Sequence, residues 1–64
     1  MNVAEALAQE IERNRKLLEE YKKIPTGFFG AAMIGMDIKA AVKALASGNV
    51  IEILEAYEKI KGNE

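Results

Sequence analysis

Three stretches with helical spacing of apolar residues, joined by two short segments rich in helix-breaking residues, predict a small all-α protein. The short joints favour antiparallel neighbours, so the expected architecture is a three-helix bundle in which a long N-terminal helix packs against a helical hairpin. The 64 residues form a single helical domain, 1–64, with half of them apolar and 30% charged, a globular balance. A chain of this size buries only about 60% of the surface that its unfolded form exposes. Its core rarely supplies more than about 3–5 kcal/mol, so disulfides, metals or self-association usually help. Cysteine and histidine are both absent. No disulfide or thiolate metal site is available, which leaves packing and association to stabilise the fold.

The first helix is expected over Val3–Lys22. Asn2 suits the N-cap, and Glu5 stands three residues on, where a capping-box acid reaches back. Val3, Leu7, Ile11, Asn14, Leu18 and Tyr21 recur at spacings of four, four, three, four and three, a coiled-coil-like stripe. Glu5, Gln9, Glu12, Lys16, Glu19 and Lys23 form the opposite, polar face. Glu12 with Lys16 and Glu19 with Lys23 would pair at i,i+4, each worth about 0.2–0.5 kcal/mol. Lys22 and Lys23 complement the negative end of the helix dipole. Asn14 within the stripe is an amide of the kind that fixes register at some cost in stability.

Pro25 ends this helix, because it biases Ile24 toward extended backbone and cannot donate a hydrogen bond. Thr26 then offers a hydroxyl cap for a second helix, unless Gly27 permits a short turn first. This helix is expected over Phe28–Ala46, with only Asp37, Lys39 and Lys43 charged. Ile34, Ile38, Ala41 and Leu45 trace its core stripe, and Lys39 and Lys43 mark the wet side. Asp37 lies about 200° around from Lys39 and so off that wet side. An unpaired buried carboxylate is costly, so Asp37 either pairs with Arg13 or Arg15, within the chain or across a subunit boundary, or reaches solvent. Gly30 and Gly35 cost roughly 1 kcal/mol each in a helix. Together with the neighbouring alanines they make a small-residue surface that permits close helix approach.

Ser47-Gly48-Asn49 forms the second joint. Gly48 suits the left-handed position after a helix, and Asn49 caps the next one with Glu52 three residues later. The third helix is expected over Val50–Lys61, with Val50, Ile53, Leu54, Tyr57 and Ile60 as its stripe. Gly62-Asn63-Glu64 should fray.

The absence of His and Cys excludes the usual nucleophilic triads and dyads. Ser47 and Thr26 are the sole hydroxyls of their types and sit at joints. The carboxylates are periodic on solvent faces, with Glu5, Glu12 and Glu19 every seven residues. Gly27, Gly30 and Gly35 lack the Lys-Ser/Thr ending and preceding strand of a phosphate loop. No catalytic residue, cofactor or metal is expected. Arg13, Arg15 and Lys16, with Lys22 and Lys23, make the best case for nucleic acid, yet acids intersperse them and the net charge is only −1. The longest uncharged run, 24–36, is too short to span a bilayer, which needs about 20 residues.

The segments Ile-Pro-Thr-Gly-Phe-Phe-Gly-Ala-Ala-Met-Ile at 24–34 and Ala-Leu-Ala-Ser-Gly-Asn-Val-Ile-Glu-Ile-Leu-Glu-Ala-Tyr-Glu-Lys at 44–59 carry a resemblance. With the Glu10 to Arg15 helix, they are similar to small uncharacterised proteins of bacteriophages and prophages, over roughly Glu10 to Lys61. The resemblance implies a bacterial host cytoplasm and a phage or prophage setting, and it brings no functional residues.

The second helix has more apolar surface than two partners in so small a chain would cover. The expectation is therefore a non-enzymatic, oligomeric interaction or self-assembly module, with Phe28, Phe29, Met33, Met36 and Asp37 as candidate interface residues. Its expected partner is itself or another phage or host protein, with no membrane and with nucleic acid the less favoured partner. The alternative function is a small nucleic-acid-associated regulator using the basic residues of the first helix.

Overall fold

A computed structural model describes residues 2–64 and gives a three-helix all-α bundle. Its helices are α1 (Val3–Lys22), α2 (Phe28–Ser47) and α3 (Val50–Ile60), and each touches the other two. The second helix takes in Ser47, one residue beyond the expected end, and the third stops one residue before Lys61.

Local chemistry accounts for most of these boundaries. Asn2 accepts the Glu5 N–H at 2.9 Å, and Asn49 accepts the N–H groups of Ile51 and Glu52 at 3.0 and 3.1 Å. Gly48 adopts φ +69°, the left-handed conformation in which a side chain is strained. The Ser47 hydroxyl donates to the Ala44 carbonyl at 2.6 Å and accepts from the Asn49 N–H at 3.1 Å, which tightens this joint. At the first joint the expected Thr26 cap does not form. Gly27 is the N-cap residue and no side chain caps α2, because the Pro25 corner closes through the Gly27 N–H on the Ile24 carbonyl at 2.9 Å. A side chain on Gly27 would lie 2.7 Å from the Tyr21 carbonyl oxygen, so this close turn requires glycine.

Leu7 and Ile11 of α1, Ile34, Ile38, Ala41 and Ala44 of α2, and Ile53 and Ile60 of α3 form the buried core. Each large side chain here contributes about 1.5–3 kcal/mol by leaving water. The α1 and α2 stripes therefore face inward as their spacing predicts. In α3 the inward arc is narrower. Val50 and Leu54, assigned to the core stripe by spacing, are exposed, and Ile53, Ala56, Tyr57 and Ile60 do the packing.

The lengths are unequal, with 20, 20 and 11 residues in α1, α2 and α3. At about 1.5 Å per residue, α3 covers little more than half of its neighbours. It ends level with the middle of α1, where the Ile60 carbonyl accepts the Asn14 amide at 3.3 Å. The last residues carry on along the remaining cleft. Arg13 Nη1 donates to the Asn63 carbonyl at 2.9 Å, and the Tyr21 hydroxyl donates to the Glu64 main-chain oxygen. The expected fraying of Gly62-Asn63-Glu64 is thus overturned, because long-range hydrogen bonds that no local pattern reveals hold this segment. Tyr21 reaches it by lying over Gly30, where a Cβ would come within 2.6 Å of the ring. Close approach at Gly30 is real, whereas nothing lies within 4 Å of the corresponding point on Gly35.

Candidate interaction surface

The outer face of α2 carries the largest run of apolar side chains left in water. Phe28 is 78% exposed, Phe29 71%, Met36 67% and Met33 49%. At 100° per residue these four fall within an arc of about 140°, which also holds Ala32, Ala40, Lys39 and Lys43. The two phenylalanines alone expose about 300 Å², taking ~200 Å² for a whole aromatic side chain. The arc carries no acid, because Asp37, the only acidic residue of α2, points inward.

Asp37 is therefore not part of that surface, which corrects its assignment to the candidate interface. It is 8% exposed, and neither Arg13 nor Arg15 pairs with it. Asn63 Nδ2 donates to Asp37 Oδ2 at 3.1 Å, and Lys59 Nζ lies 3.7 Å from Asp37 Oδ1. The same Asn63 amide donates to Asn14 Oδ1 at 3.0 Å, while Asn14 Nδ2 donates to the carbonyls of Glu10 and Ile60. A polar node thus joins all three helices through the terminal segment, and no buried side-chain nitrogen or oxygen among the described residues is left without a partner. Asn14 is fully buried, as its stripe position implies.

Arg13 has a different role from the expected one. It binds Glu10 with a 3.0 Å ion pair and spreads its remaining donors over the carbonyls of Ile60, Lys61 and Asn63. The hydrogen bonds that Arg13 donates to the Glu10 carboxylate raise the Arg13 pKa above its ordinary value. Positive charge at the carbonyl end of α3 also suits the helix dipole. Arg15 pairs with Glu12 at 3.7 Å, so Glu10 and Glu12 both take partners at i,i+3, and neither expected i,i+4 pair forms. Two members of the basic cluster are consequently engaged with acids, and the cluster does not form one free cationic face.

A shallow groove of about 320 Å³ runs between α2 and α3, floored by Ala40, Ala44 and Ala56 and edged by Lys43, Glu52, Glu55 and Lys59. Its charged lining is two lysines and two glutamates, with no Ser, Thr, Cys or His. Among the described residues no cluster of three or more acids is placed to hold a metal ion, and no helix is long and apolar enough to cross a membrane.

Comparison of the chain with protein-family models, curated proteins and solved structures yields no match.

On α3 the outward arc contains Val50, Ile51, Leu54, Glu55 and Glu58. Ile51 is 70% exposed and Val50 60%. Spacing alone assigned Val50 and Leu54 to the core and overlooked Ile51, although the run Val50-Ile51 followed by Ile53-Leu54 has more apolar residues than one helix face can bury.

Proposed function

We propose that this chain is a non-enzymatic helical module that associates with copies of itself, using the outer face of α2. The single observation that carries this reading is the exposure of Phe28, Phe29, Met33 and Met36 on one side of α2. Apolar patches of this kind on small proteins mark association sites. A domain of this size gains little from its own core, so association also supplies stability. A phage or prophage setting and a bacterial cytoplasm belong to the same reading and rest on the sequence resemblance alone. Nucleic-acid binding through Arg13, Arg15, Lys16, Lys22 and Lys23 has weaker support, because Glu10 and Glu12 hold the two arginines.

Sedimentation equilibrium of the full chain tests the proposal. The expected result is a mass above the 7.0 kDa of one chain that rises with concentration. Met36→Asp is expected to return a single-chain mass with an unchanged helical spectrum. A wild-type chain that stays monomeric up to millimolar concentration would overturn the proposal, as would undiminished association of Met36→Asp.

A further inference from the structure

The outer faces of α2 and α3 are alike in shape and opposite in charge. On α2 the arc holds Phe28, Phe29, Met33 and Met36 in its N-terminal half, then Lys39 and Lys43. On α3 it holds Val50, Ile51 and Leu54, then Glu55 and Glu58. Each arc spans about 140° at 100° per residue, and each runs from apolar to charged in the N-to-C direction. The spacing also agrees. Met36, Lys39, Ala40 and Lys43 stand at intervals of three, one and three, and so do Ile51, Leu54, Glu55 and Glu58. From Met36 to Lys43, as from Ile51 to Glu58, the rise is about 10.5 Å. Two such helices laid parallel in this register would set Met36 against Ile51 and Ala40 beside Leu54 while Lys39 and Lys43 approach Glu55 and Glu58, with Phe28, Phe29 and Met33 extending past the start of α3 at Val50.

Laid parallel on its own copy, either face would bring Lys39 and Lys43 of both chains together, or Glu55 and Glu58 of both. Like charges at an interface core are repulsive, whereas the α2 and α3 faces are complementary to each other in charge. Glu58 already holds Lys61 at 2.8 Å, and the Glu58 hydrogen bond raises the Lys61 pKa. Lys61 is a flexible surface side chain and can share the carboxylate or withdraw. Among the described residues Glu55 has no ion pair. Both arcs lie on the outside of one bundle and adjoin along the groove lined by Ala40, Lys43 and Glu55.

We propose that the α2 face of one copy docks on the α3 face of the next, giving heterologous, head-to-tail association. This inference rests on the self-association reading above and adds its partner surface and symmetry. A heterologous contact propagates, closing into a ring or extending as a filament according to the rotation between copies.

Mixing experiments with the full chain test it. Phe29→Asp with Met36→Asp disables the α2 face and leaves the α3 face intact. Ile51→Asp with Leu54→Asp does the reverse. Each variant alone is expected to sediment as a monomer. Their equimolar mixture is expected to form a dimer of twice the 7.0 kDa chain mass, at concentrations at least ~10-fold below those at which either variant self-associates. Should either variant unfold, K39E/K43E and E55K/E58K take their places: each alone repels its own copies, and the mixture regains assembly. If the wild type is monomeric throughout, the self-association reading and this inference fail together. If the wild type associates and the Ile51/Leu54 variant still associates alone, or if no mixture yields complexes, the head-to-tail arrangement is refuted and self-association stands.

Discussion

Replacing Asn63 by Ala removes one side-chain amide and leaves the main chain of the terminal segment, with its bond to Arg13, in place. Two acceptors lose their donor, the Asn14 carbonyl oxygen in a fully buried side chain and one oxygen of the nearly buried Asp37 carboxylate. A buried acceptor left unpaired costs about 1–3 kcal/mol, and more when it is charged. Water can enter beside the truncated side chain, and Lys59 remains 3.7 Å from the other Asp37 oxygen, which favours the lower end of that range. The expected loss is about 2 kcal/mol, roughly half of what a core of this size provides. A domain of this length shifts by about 4–8 °C per kcal/mol, so the melting midpoint should fall by ~8–16 °C. Thermal melts followed by circular dichroism read the shift directly, with Met36→Asp as the common background so that association does not contribute. A cycle with Asn14→Ala should return a coupling of about 1 kcal/mol between the two amides, since each single change already breaks their bond. A drop below about 0.5 kcal/mol for Asn63→Ala would refute the assignment of a structural role to the node.

Gly35→Ala meets nothing within 4 Å and should stabilise the chain by up to about 1 kcal/mol through helix propensity, seen as a higher melting midpoint. Gly30→Ala has the same propensity gain but drives a Cβ to 2.6 Å from the Tyr21 ring, so its midpoint should not rise and the tyrosine fluorescence should change. Gly48→Ala forces a side chain into φ +69° and should cost about 1–2 kcal/mol in urea titration. Asn49→Ala deprives the Ile51 and Glu52 N–H groups of their acceptor and should cost about 0.5–2 kcal/mol, with faster amide exchange in the first turn of α3.

The helices could be read from the chain because their ends are marked by residues that act locally. Asn2, Pro25, Gly48 and Asn49 each impose a backbone state or supply a cap within three or four residues, and the structure follows all of them. The core stripes of α1 and α2 were legible for the same reason, since 20 residues give the helical period time to declare itself. What escaped depends on contacts far apart in sequence. Gly62-Asn63-Glu64 looks like an idle end, yet Asn63 bonds a side chain 49 residues away. From the sequence Asp37 stays open between an arginine partner and solvent, because the register of α3 against α2, which brings Lys59 and Asn63 to it, is not encoded in any local pattern. In an 11-residue helix carrying apolar residues on several sides, small rotations decide which are buried, and so Val50 and Leu54 changed faces. Of the candidate surface, Phe28, Phe29, Met33 and Met36 were legible as surplus apolar area on α2, whereas its counterpart on α3 emerged only with that rotation.

The polar node also chooses between two mirror-related windings. Three amphipathic helices joined by short loops can be arranged with the third on either flank of the first two, and apolar stripes alone distinguish these poorly. Arg13 and Asn14 lie on the flank of α1 that meets the end of α3, where they bind the Ile60, Lys61 and Asn63 carbonyls. Wound the opposite way, the bundle would keep much of its greasy contact area but carry α3 past the other flank of α1. Arg13 would then lose the carbonyls of Ile60, Lys61 and Asn63, Asn14 would keep only the Glu10 carbonyl of its own helix, and Asp37 would lose Asn63 and Lys59. The few residues after α3 therefore discriminate handedness, selecting one chirality of assembly from two that hydrophobicity treats almost equally.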